Sequence, residues 1–189
     1  MAAKRPAITT VYQLKVTLKG SKPPIWRRIQ VPGDVTLYKL HKVLQVAMGW
    51  TDSHLHQFIA HGRYYGEPDP DFADMDVVNE RRVKLSQVAD REKAKFIYEY
   101  DFGDDWLHEI LVEKILPPEA GASYPACLAG KRSAPPEDCG GIWGYEEFLG
   151  AIGDPKHPEH EEMLEWVGGE FDPEAFDLAA VNRELRQLS

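Results

Sequence analysis

The sequence predicts an α+β protein: a mixed or antiparallel sheet of about five strands, in ββα-βαββ order, with a packed C-terminal helical segment. Three observations predict it. Apolar and polar residues alternate over 12–19 and again over 95–102, the period of a half-buried strand. One clear helical period runs over Leu37, Leu40, Leu44, Ala47 and Met48. After Gly141 the periodic stretches are three short helical ones.

The first strand carries Tyr12, Leu14, Val16 and Leu18 on one face and Gln13, Lys15, Thr17 and Lys19 on the other. Gly20-Ser21-Lys22-Pro23-Pro24 turns the chain, because proline cannot donate to a ladder and glycine tolerates positive φ. Ile25, Ile29 and Val31 mark a second, antiparallel strand whose Trp26 and Arg28 face the other way. Pro32-Gly33-Asp34 breaks it, and the helix follows with Thr36 as N-cap and Gly49 as stop. His41 falls at the edge of the apolar stripe, where a solvated or capped imidazole is expected.

Residues 54–61 read as a third strand and 62–76, with Gly, Pro and several aspartates, as a long exposed loop. Val83, Leu85 and Val88 mark one or two helical turns. Phe96, Tyr98, Tyr100 and Phe102 form the next strand, Gly103-Asp104-Asp105 a hairpin turn, and Trp106 to Leu116 the partner. A Pro-, Gly-, Ala- and Ser-rich loop leads to the helical patterns over 145–152, 163–167 and 178–188, the last capped by Asp177. Residues 1–118 are thus the sheet core, and 119–189 a loop plus short helices. The tail's helical part is too small for a core of its own and is expected to pack on the sheet as one domain.

Among 189 residues 43% are hydrophobic and 28% charged, which fills a core and excludes disorder as the main state. No run of about 18 apolar residues and no charged-then-apolar leader appears, so neither a membrane span nor secretion is expected. Two cysteines make no disulfide framework, and a cytoplasmic location is expected. Net charge is -9, yet residues 1–31 hold seven Lys or Arg and no acid, while Ser133 to Asp177 holds Lys156 as its sole Lys or Arg. Two halves that attract each other within one fold, or a basic binding face, account for such asymmetry.

Five groups of residues are candidates for chemistry. His54 and His56, at i and i+2 of a strand, share a face and can reach one divalent metal, with His108 or Asp101 as further ligands. The run Asp101 to Glu109 concentrates carboxylates and an imidazole suited to a hard cation or an acid–base pair, although Asp104 and Asp105 equally serve a turn. His108 shares the apolar side with Trp106, Ile110 and Val112. Cys127 and Cys139 lack the spacing of a zinc knuckle and read first as loop packing. His157 to Glu162 lacks the HExxH order and reads as an acidic first helical turn. Trp26 beside Arg27 and Arg28 offers a basic, aromatic patch for nucleic acid, but the net charge disfavours that partner.

Several of these runs resemble one family. Tyr12-Gln13-Leu14-Lys15-Val16 with Pro24-Ile25-Trp26-Arg27-Arg28, and Met48-Gly49-Trp50 with His54-Leu55-His56-Gln57-Phe58, are similar to the opening blocks of the plasmid pRiA4b ORF-3-like family. Tyr100 to Glu109, Pro135-Pro136-Glu137-Asp138-Cys139-Gly140-Gly141 and Trp166 to Pro173 complete the pattern in the family's order. The resemblance implies a compact α+β unit found on plasmids and chromosomes and, for some members, among insertion-sequence passengers labelled resolvases. This chain shows no nucleophilic serine with an arginine cluster to match that label. Where members often carry a further cysteine, this chain has Ala134, one thiol fewer for any zinc held by that loop.

The expected function is a binding or interaction module, associated with mobile elements, for a protein or small-molecule partner and without a membrane. Its site lies where the 54–58 strand, the 101–108 hairpin and the 135–141 loop converge. Trp26, Arg28, Asp101, Asp104, Trp106, Glu137, Asp138 and Cys139 are the candidate binding residues. One alternative is a metal-dependent hydrolase with His54, His56, Asp101 and His108 as ligands and Asp104 or Glu109 as base. The other is a nucleic-acid accessory protein acting through Arg27 and Arg28.

Overall fold

A computed structural model describes residues 8–68 and 76–188. Strands β1 (Val11–Leu18) and β2 (Trp26–Pro32) form a hairpin, and helix α1 (Leu37–Met48) crosses onto one face of the sheet. Strands β3 (His56–Ala60), β4 (Arg63–Gly66) and β5 (Val77–Asn79) follow, then a 3-10 turn and helix α2 (Leu85–Val88). The long hairpin β6 (Lys95–Tyr100) and β7 (Trp106–Leu116) leads to β8 (Ala126–Lys131). Helices α3 (Gly141–Gly153), α4 (His160–Val167) and α5 (Leu178–Leu185) finish the chain. No helix among the described residues is long and apolar enough to cross a membrane.

The α+β class and the mixed sheet hold, but the sheet has eight strands, in the order β5-β4-β3-β6-β7-β1-β2-β8. Among the described residues, only β4 and β5 pair in parallel. The three strands beyond the expected five are short and peripheral. β4 and β8 lie in Gly- or Pro-rich stretches, and neither shows the alternation that betrays a half-buried strand. β4 lies inside the expected loop over 62–76, of which 69–75 fall outside the described residues. β8 extends the sheet beyond residue 118.

The core lies between α1 and the apolar face of the sheet, where Leu14, Val16, Ile29, Leu40, Leu44 and Phe58 are buried. Thr36 accepts the Lys39 N–H, and Gly49 ends the helix at φ 85, the left-handed conformation glycine adopts most readily. His41 is fully buried rather than solvated at the stripe edge. Burial is possible because both ring nitrogens are satisfied: Nδ1 lies 2.8 Å from the Tyr98 hydroxyl and Nε2 lies 2.6 Å from Asp52 Oδ1. Gln45 donates to the same Tyr98 oxygen, leaving the phenolic proton for His41 Nδ1 and the imidazole proton for Asp52.

Tyr145, Phe148 and Leu185 belong to the same buried cluster as the sheet residues. Helix α5 also covers the free edge of β8. Asn182 Oδ1 accepts the Cys127 N–H at 2.8 Å, and its Nδ2 donates to the Cys127 carbonyl at 2.8 Å. One side chain therefore satisfies both outward backbone groups of an edge residue. Asn182→Ala is expected to cost about 1–3 kcal/mol, because both groups lose their partner. A urea unfolding midpoint equal to that of the unaltered protein would show that water replaces the amide without penalty.

Candidate cation site

Four of the candidate side chains meet where α1, β3, the β6–β7 hairpin and the loop before α3 come together. His54 lies in the turn ahead of β3. Its Nδ1 is 3.6 Å from Asp101 Oδ2, and its Nε2 is 3.1 Å from Asp138 Oδ1 and 3.5 Å from Glu137 Oε2. Nε2 is shielded from solvent, yet it makes no hydrogen bond among the described residues. The nitrogen and the carboxylate oxygens converge without donor–acceptor geometry.

Each carboxylate is held by its own local structure. Asp101 sits at φ 59, a conformation aspartate tolerates, and its Oδ1 accepts from Gly103 N at 2.9 Å. That leaves Oδ2 for His54. Glu137 accepts from the Thr51 amide at 2.8 Å and from the Tyr100 hydroxyl at 3.1 and 3.2 Å. Ser53 N in turn donates to the Tyr100 oxygen at 3.1 Å. Burial raises the Tyr100 pKa, so it remains a hydroxyl donor at neutral pH. Asp138 is the exposed member, its side chain 70% accessible.

The loop and the hairpin are locked together by a close backbone approach. Gly140 N donates to Asp104 Oδ2 at 3.1 Å. Gly141 has φ 69, and a Cβ there would lie 2.6 Å from the Asp104 carbonyl oxygen. Gly141→Ala is therefore expected to destabilise by roughly 1–3 kcal/mol and to displace Glu137 and Asp138. Thermal melts and the amide shifts of Thr51 and Ser53 check it; an unchanged pair of shifts would mean that the loop holds without this contact.

The other candidates stand elsewhere. His56 does not join His54. It stacks on His41 with ring centroids 3.4 Å apart and planes within 1°, and its Nε2 lies 3.0 Å from Glu80 Oε2. A metal ion lies close to the plane of each imidazole that binds it, and two parallel planes 3.4 Å apart share no such point. The stacked pair with Asp52 is thus a poor chelate although its ligand atoms are near one another. His108 is fully buried; it directs Nδ1 at the Tyr98 carbonyl, 3.3 Å away, and packs edge-on against Trp50. The i, i+2 argument failed because β3 begins at His56, so His54 is not on the strand.

Trp106 is 1% exposed and packs beside Trp50, which makes it a wall of the core rather than a contact surface. Trp26 and Arg28 lie on the opposite sheet face from Leu14 and Ile29, with Arg28 paired bidentately to Glu113 at 2.6 and 2.8 Å. Arg27 is buried and donates to three carbonyls, so it forms no exposed basic patch with Arg28. Glu109 pairs with Lys95 at 3.0 Å, away from the cluster. Burial pushes the Cys139 thiol up to about 12 and also raises Cys127, which leaves both as protonated packing residues at neutral pH.

The sequence reading missed Thr51, Ser53 and Tyr100, which orient Glu137. The polar run Thr51-Asp52-Ser53 directly after a glycine helix stop was the available signal.

The model of the plasmid pRiA4b ORF-3-like protein matches residues 10–180. The chain belongs to the plasmid pRiA4b ORF-3-like family. This member is 41% identical over 183 residues to uncharacterized protein y4hQ of Sinorhizobium fredii (strain NBRC 101917 / NGR234), covering 96% of this chain and 94% of that one. The crystal structure of a protein of unknown function, MM3350 from Methanosarcina mazei Go1, is similar with a TM-score of 0.83 and 44% identity. That likeness covers 91% of this chain and 97% of the other. The segments that build the cluster, His54 to Phe58, Tyr100 to Glu109 and Pro135 to Gly141, all lie within the matched residues.

Proposed function

We propose that this family member is a binding module whose recognition centre is a first-row divalent cation held by His54 Nε2, Glu137 and Asp138. The observation that carries the reading is the chain Asp101–His54–(Glu137, Asp138). One imidazole nitrogen faces an orienting carboxylate, and the other is a buried lone-pair or N–H position facing two more. Metal-binding histidines are commonly oriented in this way through their second nitrogen. Asp138 Oδ1 and Glu137 Oε2 stand 3.1 and 3.5 Å from His54 Nε2, so a modest adjustment of these side chains would let all three reach one ion.

One imidazole with two carboxylates is a mixed donor set that suits Mn²⁺ or Zn²⁺. Three protein ligands leave coordination positions for an anionic group of a protein or small-molecule partner. Leu55 and Phe102, next to His54 and Asp101, are 71% and 46% exposed and would take up the apolar part of such a partner. The module reading is favoured over hydrolysis because neither expected base is poised. Asp104 is engaged with the Gly140 amide and Glu109 with Lys95.

Calorimetric titration of the chelator-treated protein with Zn²⁺ and with Mn²⁺ tests the reading. One saturable site per chain, weakened by Asp138→Asn, is the expected result. Absence of saturable binding of either ion overturns it.

A further inference from the structure

Two arginines are buried among the described residues, and their surroundings differ. Arg132 is paired, donating through Nε to Glu174 at 2.7 Å. Arg27 has no carboxylate partner among the described residues. Its Nε donates to the Ala47 carbonyl at 2.7 Å, and its Nη1 donates to the carbonyls of Trp26 and Lys131 at 2.9 and 3.0 Å. Nη2 makes no hydrogen bond among the described residues. The guanidinium lies over the Phe176 ring, 4.3 Å from its centroid. Burial draws the Arg27 pKa down to about 10, as expected for a cation solvated by carbonyl dipoles alone. Buried charges are ordinarily paired, so an unused donor on such a group points to a counter-charge that arrives from outside the chain.

Arg27 borders a cavity of about 330 Å³ at the C-terminal end of α1 and along α5. That volume lies at the small end of the roughly 300–1,000 Å³ typical of small-molecule sites. Val46, Met48, Ala134 and Val181 give it apolar walls, and Asp177 and Glu184 also line it. The lining therefore joins one buried cation to two carboxylates. A simple anion would gain from Arg27 and be repelled by Asp177 and Glu184, and a simple cation would meet the reverse. A molecule with both charges and a short apolar body suits every part of the lining.

We infer that the cavity between α1 and α5 binds a small zwitterion of the α-amino-acid class, its carboxylate on Arg27 and its ammonium toward Asp177 and Glu184. The inference does not depend on the cation centre, which shares none of these residues.

L-methionine is a suitable probe, with butyrate and butylamine as carboxylate-only and ammonium-only controls, followed through the amide shifts of the full chain. Saturable shifts over 46–49 and 177–184 are expected with L-methionine, and affinities at least about fivefold weaker with either control. The double variant Asp177→Asn, Glu184→Gln keeps the helix cap, because asparagine accepts the same Ala180 N–H. It should bind L-methionine about fivefold more weakly and narrow the gap to butyrate. Three results overturn the inference: no saturable shift with L-methionine, butyrate binding as tightly as L-methionine to the unaltered protein, or a double variant that binds L-methionine undiminished. Arg27→Met should abolish binding, but this residue also ties α1 to β8; the surface pair keeps the test decisive if that variant fails to fold.

Discussion

His54→Ala should lower affinity for Zn²⁺ and Mn²⁺ by about a hundredfold or more while leaving the fold intact. The imidazole is the sole nitrogen donor of the cluster, and its removal leaves Glu137 and Asp138 as a carboxylate pair that water can solvate. Its loss costs little stability, because Nε2 makes no hydrogen bond and Nδ1 stands 3.6 Å from its partner. Asp101→Asn should act less strongly, by roughly ten- to a hundredfold, since it disturbs the orientation of His54 rather than a ligand. Asparagine keeps the acceptor for Gly103 N and tolerates the left-handed backbone, so the turn itself should survive. His56→Ala separates this account from one in which the two strand-adjacent histidines share an ion: it should leave affinity within about twofold of the unaltered value. An equal loss in the His54 and His56 variants would contradict the separation of the two rings.

Acidification should destabilise the fold strongly between about pH 6.5 and pH 4. Burial brings His41 down to about 4, with the neighbouring His56 ring adding to the effect and Asp52 opposing it. Burial brings His108 down to about 4, with the Arg27 charge adding to the effect and two backbone acceptors opposing it. Both are held neutral in the folded state, whereas the unfolded chain takes up protons from about pH 6.5 downward. Stability from these groups is therefore complete above that pH and falls as the pH drops. The loss stops near pH 4, where the folded protein begins to protonate them as well. Each histidine contributes roughly 3 kcal/mol over that window. Urea unfolding at pH 7 and pH 4.5 measures it, and His41→Gln should remove about half of the slope. A midpoint that stays level over this range would mean that both rings are already charged in the folded state.

Most of the architecture could be read from residue spacing. α1 announced itself through Thr36, its apolar period and Gly49, and the β6–β7 hairpin through alternation on either side of Gly103. The edge strands could not be read, because their pairing is made by backbone groups and their side chains carry no period. β8 is secured by Asn182, more than fifty residues later. The location of the candidate site was legible as a convergence of three segments, but its membership was not. His54 and His56 are adjacent in the pattern yet separated by the start of a strand, and a one-residue shift in where β3 begins reassigns the partner of each ring. Trp26 and Trp106 were grouped by residue type, whereas the sheet places one on its outer face and the other in the core.

The central claim is that His54, Glu137 and Asp138 hold one ion. Anomalous diffraction from crystals equilibrated with Mn²⁺ tests it most directly. The account predicts a single strong peak within bonding distance of His54 Nε2 and of both carboxylates. A peak between His41 and His56, or a cluster without any, would contradict it.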